Sequence, residues 1–280
     1  MPVFATPEPI TATIDVSVAD VRVIAGDRAE TTVEVEPADP GDTEDVKAAA
    51  KTRVEFAGDD LLVKGPKYTT KLFGKAGSLR VTIELPAGSR IRATSAMGDY
   101  RIDGRLGDSR VKTSVGDIHL GETARLEAST ATGDVFVDRA TGHAEVHTGS
   151  GELRLREIDG TAVLKNSNGE TRVGEVTGDL RVGTASGDIH VDVAHAGVDA
   201  KTAAGDIRIG EVIRDRVVLE TAVGEIEVGV REGSAAWLEL NSLTGSVRNT
   251  LTPSDGPGGT TETVEVKAHT YTGDIVIRRA

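Results

Sequence analysis

The sequence predicts an all-β protein: a parallel β-solenoid of about ten 18-residue coils with an N-terminal β cap. Three observations carry this reading. A unit of the form Thr-Ala-x-Gly-Asp-Ile-x-Val recurs ten times, on Gly98, Gly116, Gly133, Gly151, Gly169, Gly187, Gly205, Gly224, Gly245 and Gly273. The spacings are 18, 17, 18, 18, 18, 18, 19, 21 and 28 residues, and a fixed period is the mark of a repeat architecture. On both sides of each glycine apolar and polar residues alternate, which is the period of a strand and not of a helix.

Each unit holds two short strands. The first carries an apolar column five residues before the glycine, including Ala93, Val111, Ala128, Val146, Leu164, Val182 and Ala200. It ends at a Thr, Ser or Asn three residues before the glycine, where Thr113, Thr130, Thr148 and Thr202 stand. That Thr shares parity with the apolar column, so it points inward or caps the turn. The second strand follows the glycine with apolar residues two and four positions on, as in Ile189 and Val191. Equivalent residues of neighbouring coils then pair in parallel, about 4.8 Å apart. A hexapeptide helix also has 18 residues per coil, but its register from Val146 meets Glu152 and Glu170, so the two-strand coil is preferred. The last two spacings are longer, as insertions near a terminal cap would be.

Residues 1–90 lack the repeated glycine motif yet still alternate, for example in Thr11–Val18 and Ser78–Leu85. They are expected to form the N-terminal β-strand cap with irregular first coils, and residues 91–280 the repeat domain. Ala38–Asp45 reads as an acidic surface loop and Val46–Lys51 as a helical turn. Near the other end, the single tryptophan, Trp237, is expected to cover the widening coil, and 253–261 reads as a polar Gly/Pro loop.

Composition narrows the function. Lys plus Arg is 32 against 45 Asp plus Glu, a formal net charge of −13. Nucleic acid is bound mainly by Lys and Arg, so it is excluded as a partner. No apolar run suggests membrane insertion. The N-terminal residues carry no basic start and no apolar stretch, so a cytoplasmic location is expected. Cysteine is absent, which removes disulfides, thiol nucleophiles and thiolate metal sites. One Trp, three Tyr and four Phe leave little for stacking platforms.

The chemistry lies in two columns. After the glycines stand acidic residues, among them Asp117, Asp134, Glu152, Glu170, Asp188 and Asp206. Two positions further, on the same outer face, stand Arg154, Arg172, His190 and Arg208. These ten residues are the candidate interaction face. A stack of bare carboxylates repels itself, so the expected arrangement is turn capping by Asp beside a neutralising Arg column. Calcium rolls need Gly-Gly-x-Gly-x-Asp-x-apolar-x, which this unit lacks. Ice binding needs outward Thr pairs. The coils are too short for a polysaccharide-lyase cleft, and the histidines show no metal-ligand spacing. No catalytic residue, metal or cofactor is expected.

The repeated Thr-Ala-x-Gly-Asp-Ile-x-Val, together with Phe4-Ala-Thr-Pro-Glu-Pro-Ile and Leu85-Pro-Ala-Gly-Ser, resembles the "putative adhesin" β-strand-repeat family of unknown function in its actinobacterial form. The resemblance covers nearly the whole chain. It implies the β-repeat fold and brings no catalytic residues. The family label implies surface display, while relatives associated with envelope-stress modules imply scaffolding or sensing. The expected function is a non-enzymatic scaffold for a protein partner. An adhesin-like surface or carbohydrate-binding module is the alternative.

Overall fold

The structure is a computed structural model that describes residues 2–67, 76–252 and 262–280. The chain is nearly all β, with long and mostly parallel sheets, and it divides into two compact units, Met1–Asp138 and Arg139–Ala280. The loop expected over 253–261 lies outside the described residues.

In the first unit the chain enters as β1 (Val3–Ala5) and makes a coil from β2 (Thr11–Asp15) and β3 (Ala19–Gly26). It leaves through β4 (Glu30–Pro37), helix α1 (Thr43–Lys51) and β5 (Arg53–Ala57), and a second coil follows in β6 (Asp60–Lys64) and β7 (Leu79–Pro86). Then come β8 (Arg90–Thr94) with β9 (Tyr100–Arg105), β10 (Ser109–Lys112) with β11 (Ile118–Thr123), and β12 (Leu126–Thr132) with β13 (Val135–Ala140).

The order in space is not the order in sequence. β2 pairs in parallel with both β6 and β8, and β3 with both β7 and β9. The first coil therefore sits inside the stack and the second lies outside it. Antiparallel β4, β1 and β5 extend that outer coil. Helix α1 starts earlier than the expected turn, inside the predicted acidic loop. Asp42 caps it by accepting a hydrogen bond from Glu44 N at 2.9 Å. Buried Asp45 ties it down by accepting from Asp39 N at 3.0 Å and Ser78 N at 2.7 Å.

The second unit continues with β14 (Ala144–Ser150) and β15 (Leu153–Ile158), β16 (Ala162–Asn168) and β17 (Thr171–Val176), and β18 (Leu180–Ser186) and β19 (Ile189–Ala194). It ends with β20 (Val198–Ala204) and β21 (Ile207–Val212), β22 (Asp215–Val223) and β23 (Ile226–Val230), β24 (Ala235–Thr244) and β25 (Val247–Asn249), and β26 (Thr263–Thr272) and β27 (Ile275–Arg279). The predicted register is seen residue for residue. Val146, Leu164, Val182, Ala200 and Leu219 are successive partners, and all are buried.

The end of this unit corrects the sequential order expected from the repeat. Leu219 pairs next with Ala268, and Ala268 with Leu240. The tenth repeat is thus inserted between the eighth and the ninth. The chain steps two coil heights to reach β24, then returns to fill the gap with β26 and β27. The 21-residue spacing from Gly224 to Gly245 covers this two-coil step, about 9.6 Å of rise instead of about 4.8 Å.

The core is a slim column of Val, Ile, Leu and Ala. The turn glycines are required by geometry. Gly116 and Gly205 have φ of 136° and 149°, values an L side chain rarely adopts. A Cβ at either would also collide with the carbonyl oxygen of the matching glycine one coil back, Gly98 or Gly187.

Candidate interaction faces

Four of the threonines before the glycines both point inward and cap, whereas the Thr184 hydroxyl has no hydrogen-bond partner. Thr130, Thr202, Thr221 and Thr270 are buried. Their hydroxyls donate to the carbonyls of Gly116, Gly187, Gly205 and Gly224 at 3.0–3.2 Å, each one coil back in space. Asn166 does the same through Nδ2 to Gly151 O at 3.0 Å, and adds a bond to Gly169 O at 2.9 Å.

The acidic column divides by side-chain length. The aspartates reach the next coil's backbone. Asp99 Oδ1 accepts from Asp117 N at 2.9 Å, Asp117 from Asp134 N at 2.8 Å, Asp188 from Asp206 N at 2.8 Å, and Asp206 from Glu225 N at 2.8 Å. Asp274 closes the series on Ser246 N at 2.7 Å, and this bond is the main reason its carboxyl lies below its usual value. The capping is therefore between coils, not local to each turn as the Gly-Asp pattern suggested. Asp20 is a further member that the glycine search missed, because Ala19 occupies the glycine position. It faces Asp99 N at 3.4 Å.

Two glutamates of the column, Glu152 and Glu170, turn to their own strands. Glu152 accepts from Arg154 at 2.7 Å and Glu170 from Arg172 at 2.6 Å. The bond from Glu170 raises the pKa of Arg172 above its ordinary value. His190 does not face Asp188 but lies 2.8 Å from Asp192. Arg208 reaches forward to Glu227 at 2.7 Å, and Arg278 holds the same carboxylate at 2.8 Å. Glu227 is thereby held below the usual carboxylate range, chiefly by the Arg278 hydrogen bond. The neutralising Arg column thus exists only in part, since the aspartates spend their acceptors on backbone. Exposed ion pairs of this kind each contribute little stability.

A second face escaped the sequence reading. On the outer side of β8 and β10, Arg92 and Arg110 are direct cross-strand partners. Arg90 and Arg125 border the same shallow groove, together with Asp108 and Glu127. Glu127 takes Lys112 at 2.8 Å and Arg110 at 3.1 Å. The Lys112 hydrogen bond is the largest cause of its lowered pKa. The missed signal lay six residues before each glycine, where Arg92, Arg110 and Glu127 align.

Trp237 contradicts the covering role expected of it. It points outward from β24 and is 65% exposed. Among the described residues no cluster of His, Asp or Glu is arranged to hold a metal, and no helix is long and apolar enough to cross a membrane.

Residues 11–278 match the family described as Toastrack DUF4097. The chain belongs to that family. The match agrees with the resemblance to a β-strand-repeat family of unknown function, and it begins at β2, the first strand of the buried first coil. No curated protein matches the chain. Among solved structures, the Toastrack chain is similar to a "putative adhesin" from Parabacteroides merdae, at 11% identity and a TM-score of 0.46, over 99% of this chain and 94% of that one. It is similar to a "putative adhesin" from Bacteroides fragilis at 12% identity and 0.41, over 99% and 95%. It is also similar to a "putative cell adhesion protein" from Clostridium sporogenes at 10% identity and 0.30, over 100% and 98%.

Proposed function

We propose that this Toastrack chain is a non-enzymatic β-solenoid scaffold that holds a carboxylate-rich face of a protein partner. The partner would lie against the outer face of β8 and β10. The observation that carries this reading is Arg92 directly opposite Arg110. Like charges opposite each other on a sheet cost stability. Glu127 offsets Arg110 within the fold, but among the described residues no carboxylate pairs with Arg92, whose charge a partner's carboxylate would meet. The groove beside them adds Arg90 and Arg125, and in a chain of net charge −13 this basic patch is a local exception.

Capture from native lysate with two baits tests the proposal. Wild-type chain should retain a partner that salt releases, because exposed charge pairs are screened. The double variant Arg92→Glu, Arg110→Glu should lose it. Arg92→Glu alone should stabilise the free protein by roughly 0.2–1 kcal/mol, by replacing a like pair with an opposite one. An identical set of captured proteins on both baits would sink the reading. The proposed location is the cytoplasm, whereas the adhesin-like or carbohydrate-binding alternative requires display outside the cell. Recovery in the extracellular fraction would favour that alternative.

A further inference from the structure

The outermost coils of the two units are finished differently. In the first unit the outer coil β6–β7 is extended by antiparallel strands. The end strands are short and include β5, whose exposed positions carry Arg53 and Glu55. Short, charged edges are how proteins prevent edge-to-edge pairing. In the second unit the outer coil is β24–β25, and among the described residues no strand pairs with its far side. β24 is ten residues long and contains no Lys, Arg or Pro and a single charge, Glu239. Its inward residues Leu238 and Leu240 are only partly covered, whereas the inward Leu219 and Ala268 of the preceding coils are buried. Its outward residues Trp237 and Leu243 are 65% and 73% exposed. Among the described residues, this long, apolar edge with a partly covered core behind it lacks the usual protection.

We infer that this edge pairs with a second copy of the same chain, with β24 antiparallel to its twin about a two-fold axis through Leu240. A two-fold interface must be self-complementary, and the strand Trp-Leu-Glu-Leu-Asn-Ser-Leu over 237–243 is so about its centre. In this register Trp237 lies opposite Leu243 of the second copy, twice over. Glu239 lies opposite Asn241, and Leu240 meets Leu240 across the continued core. Charge selects the register. Centring on Glu239 would set two carboxylates face to face, which is destabilising. A shift of the pairing by one residue would turn every inward side chain outward.

Light scattering coupled to size exclusion, run over a concentration series on the full chain, reads the result. The wild type should approach twice 29.2 kDa as concentration rises. Leu243→Lys and Trp237→Glu, both at exposed positions, should each keep a cooperative melt and run at 29.2 kDa. Mixed together, these two variants should recover a dimer, because the new Lys and Glu face each other in this register while the second Trp–Leu pair is intact. Asn241→Glu, which sets a carboxylate opposite Glu239 of the second copy, should weaken the dimer independently. A wild type that stays at 29.2 kDa at every concentration overturns the inference. So does a dimer that survives Leu243→Lys, or a mixture of the two variants that stays monomeric.

Discussion

Asp188 places its Oδ1 2.8 Å from the backbone nitrogen of Asp206, one coil further along the stack. Asp206 repeats the bond to Glu225 N, also at 2.8 Å. One residue type thus stitches consecutive turns through a charged acceptor, on strands whose main-chain ladders already pair. Hydrogen bonds to charged groups are the stronger class, at about 1.5–3 kcal/mol, and exposure at the turn favours the lower end of that range.

Asp188→Ala should therefore lower stability by about 1.5 kcal/mol, with Asp206 N left to water. Because the carboxylate is satisfied by backbone, no metal is required. A chelator should leave the melting temperature unchanged and added calcium should not raise it, since any ligand of the folded state alone would do so by mass action. A calcium-dependent rise of several degrees in a thermal scan would refute the backbone-ladder account.

Glu227 and Glu84 make stability depend on pH. The Arg278 hydrogen bond holds Glu227, and the Arg28 hydrogen bond Glu84, below the usual 4.5. A carboxyl with a depressed folded-state pKa stabilises the fold above its unfolded value, and that contribution is lost as pH falls through the folded value. Arg278→Gln should therefore be less stable than wild type at neutral pH. The gap should close as pH drops below 4.5. Urea titrations at a series of pH values measure this, and a gap independent of pH would contradict it.

Thr171 occupies an inward position that Ile or Val fills in most other coils. It is fully buried, and its hydroxyl has no hydrogen-bond partner. Thr171→Val keeps the shape and removes the orphaned polar atom, so it should stabilise by about 1 kcal/mol. Chemical denaturation decides it. A destabilised variant would mean that the hydroxyl is satisfied after all.

The sequence by itself determined the coil. The alternation around each glycine set which residues face the core, and the register from Val146 to Leu219 followed from the 18-residue period. Both are local properties, set by strand pleat and by the turn geometry that glycine permits. The order in which coils stack was decided only in the tertiary structure. Every coil offers the same backbone ladder to its neighbours, so the alternation does not say which coil stacks on which. Long-range closure puts β26 between β22 and β24, and β2 between β6 and β8. The same non-local choice exposes Trp237, which its place near the end of the repeats had assigned to a covering role. The pairing of Arg92 with Arg110, by contrast, follows from the 18-residue period itself and was legible in the sequence. Whether a carboxylate serves its own strand or the next coil depends on reach. Asp ends close enough to meet the adjacent backbone, whereas Glu extends to the arginine two residues on.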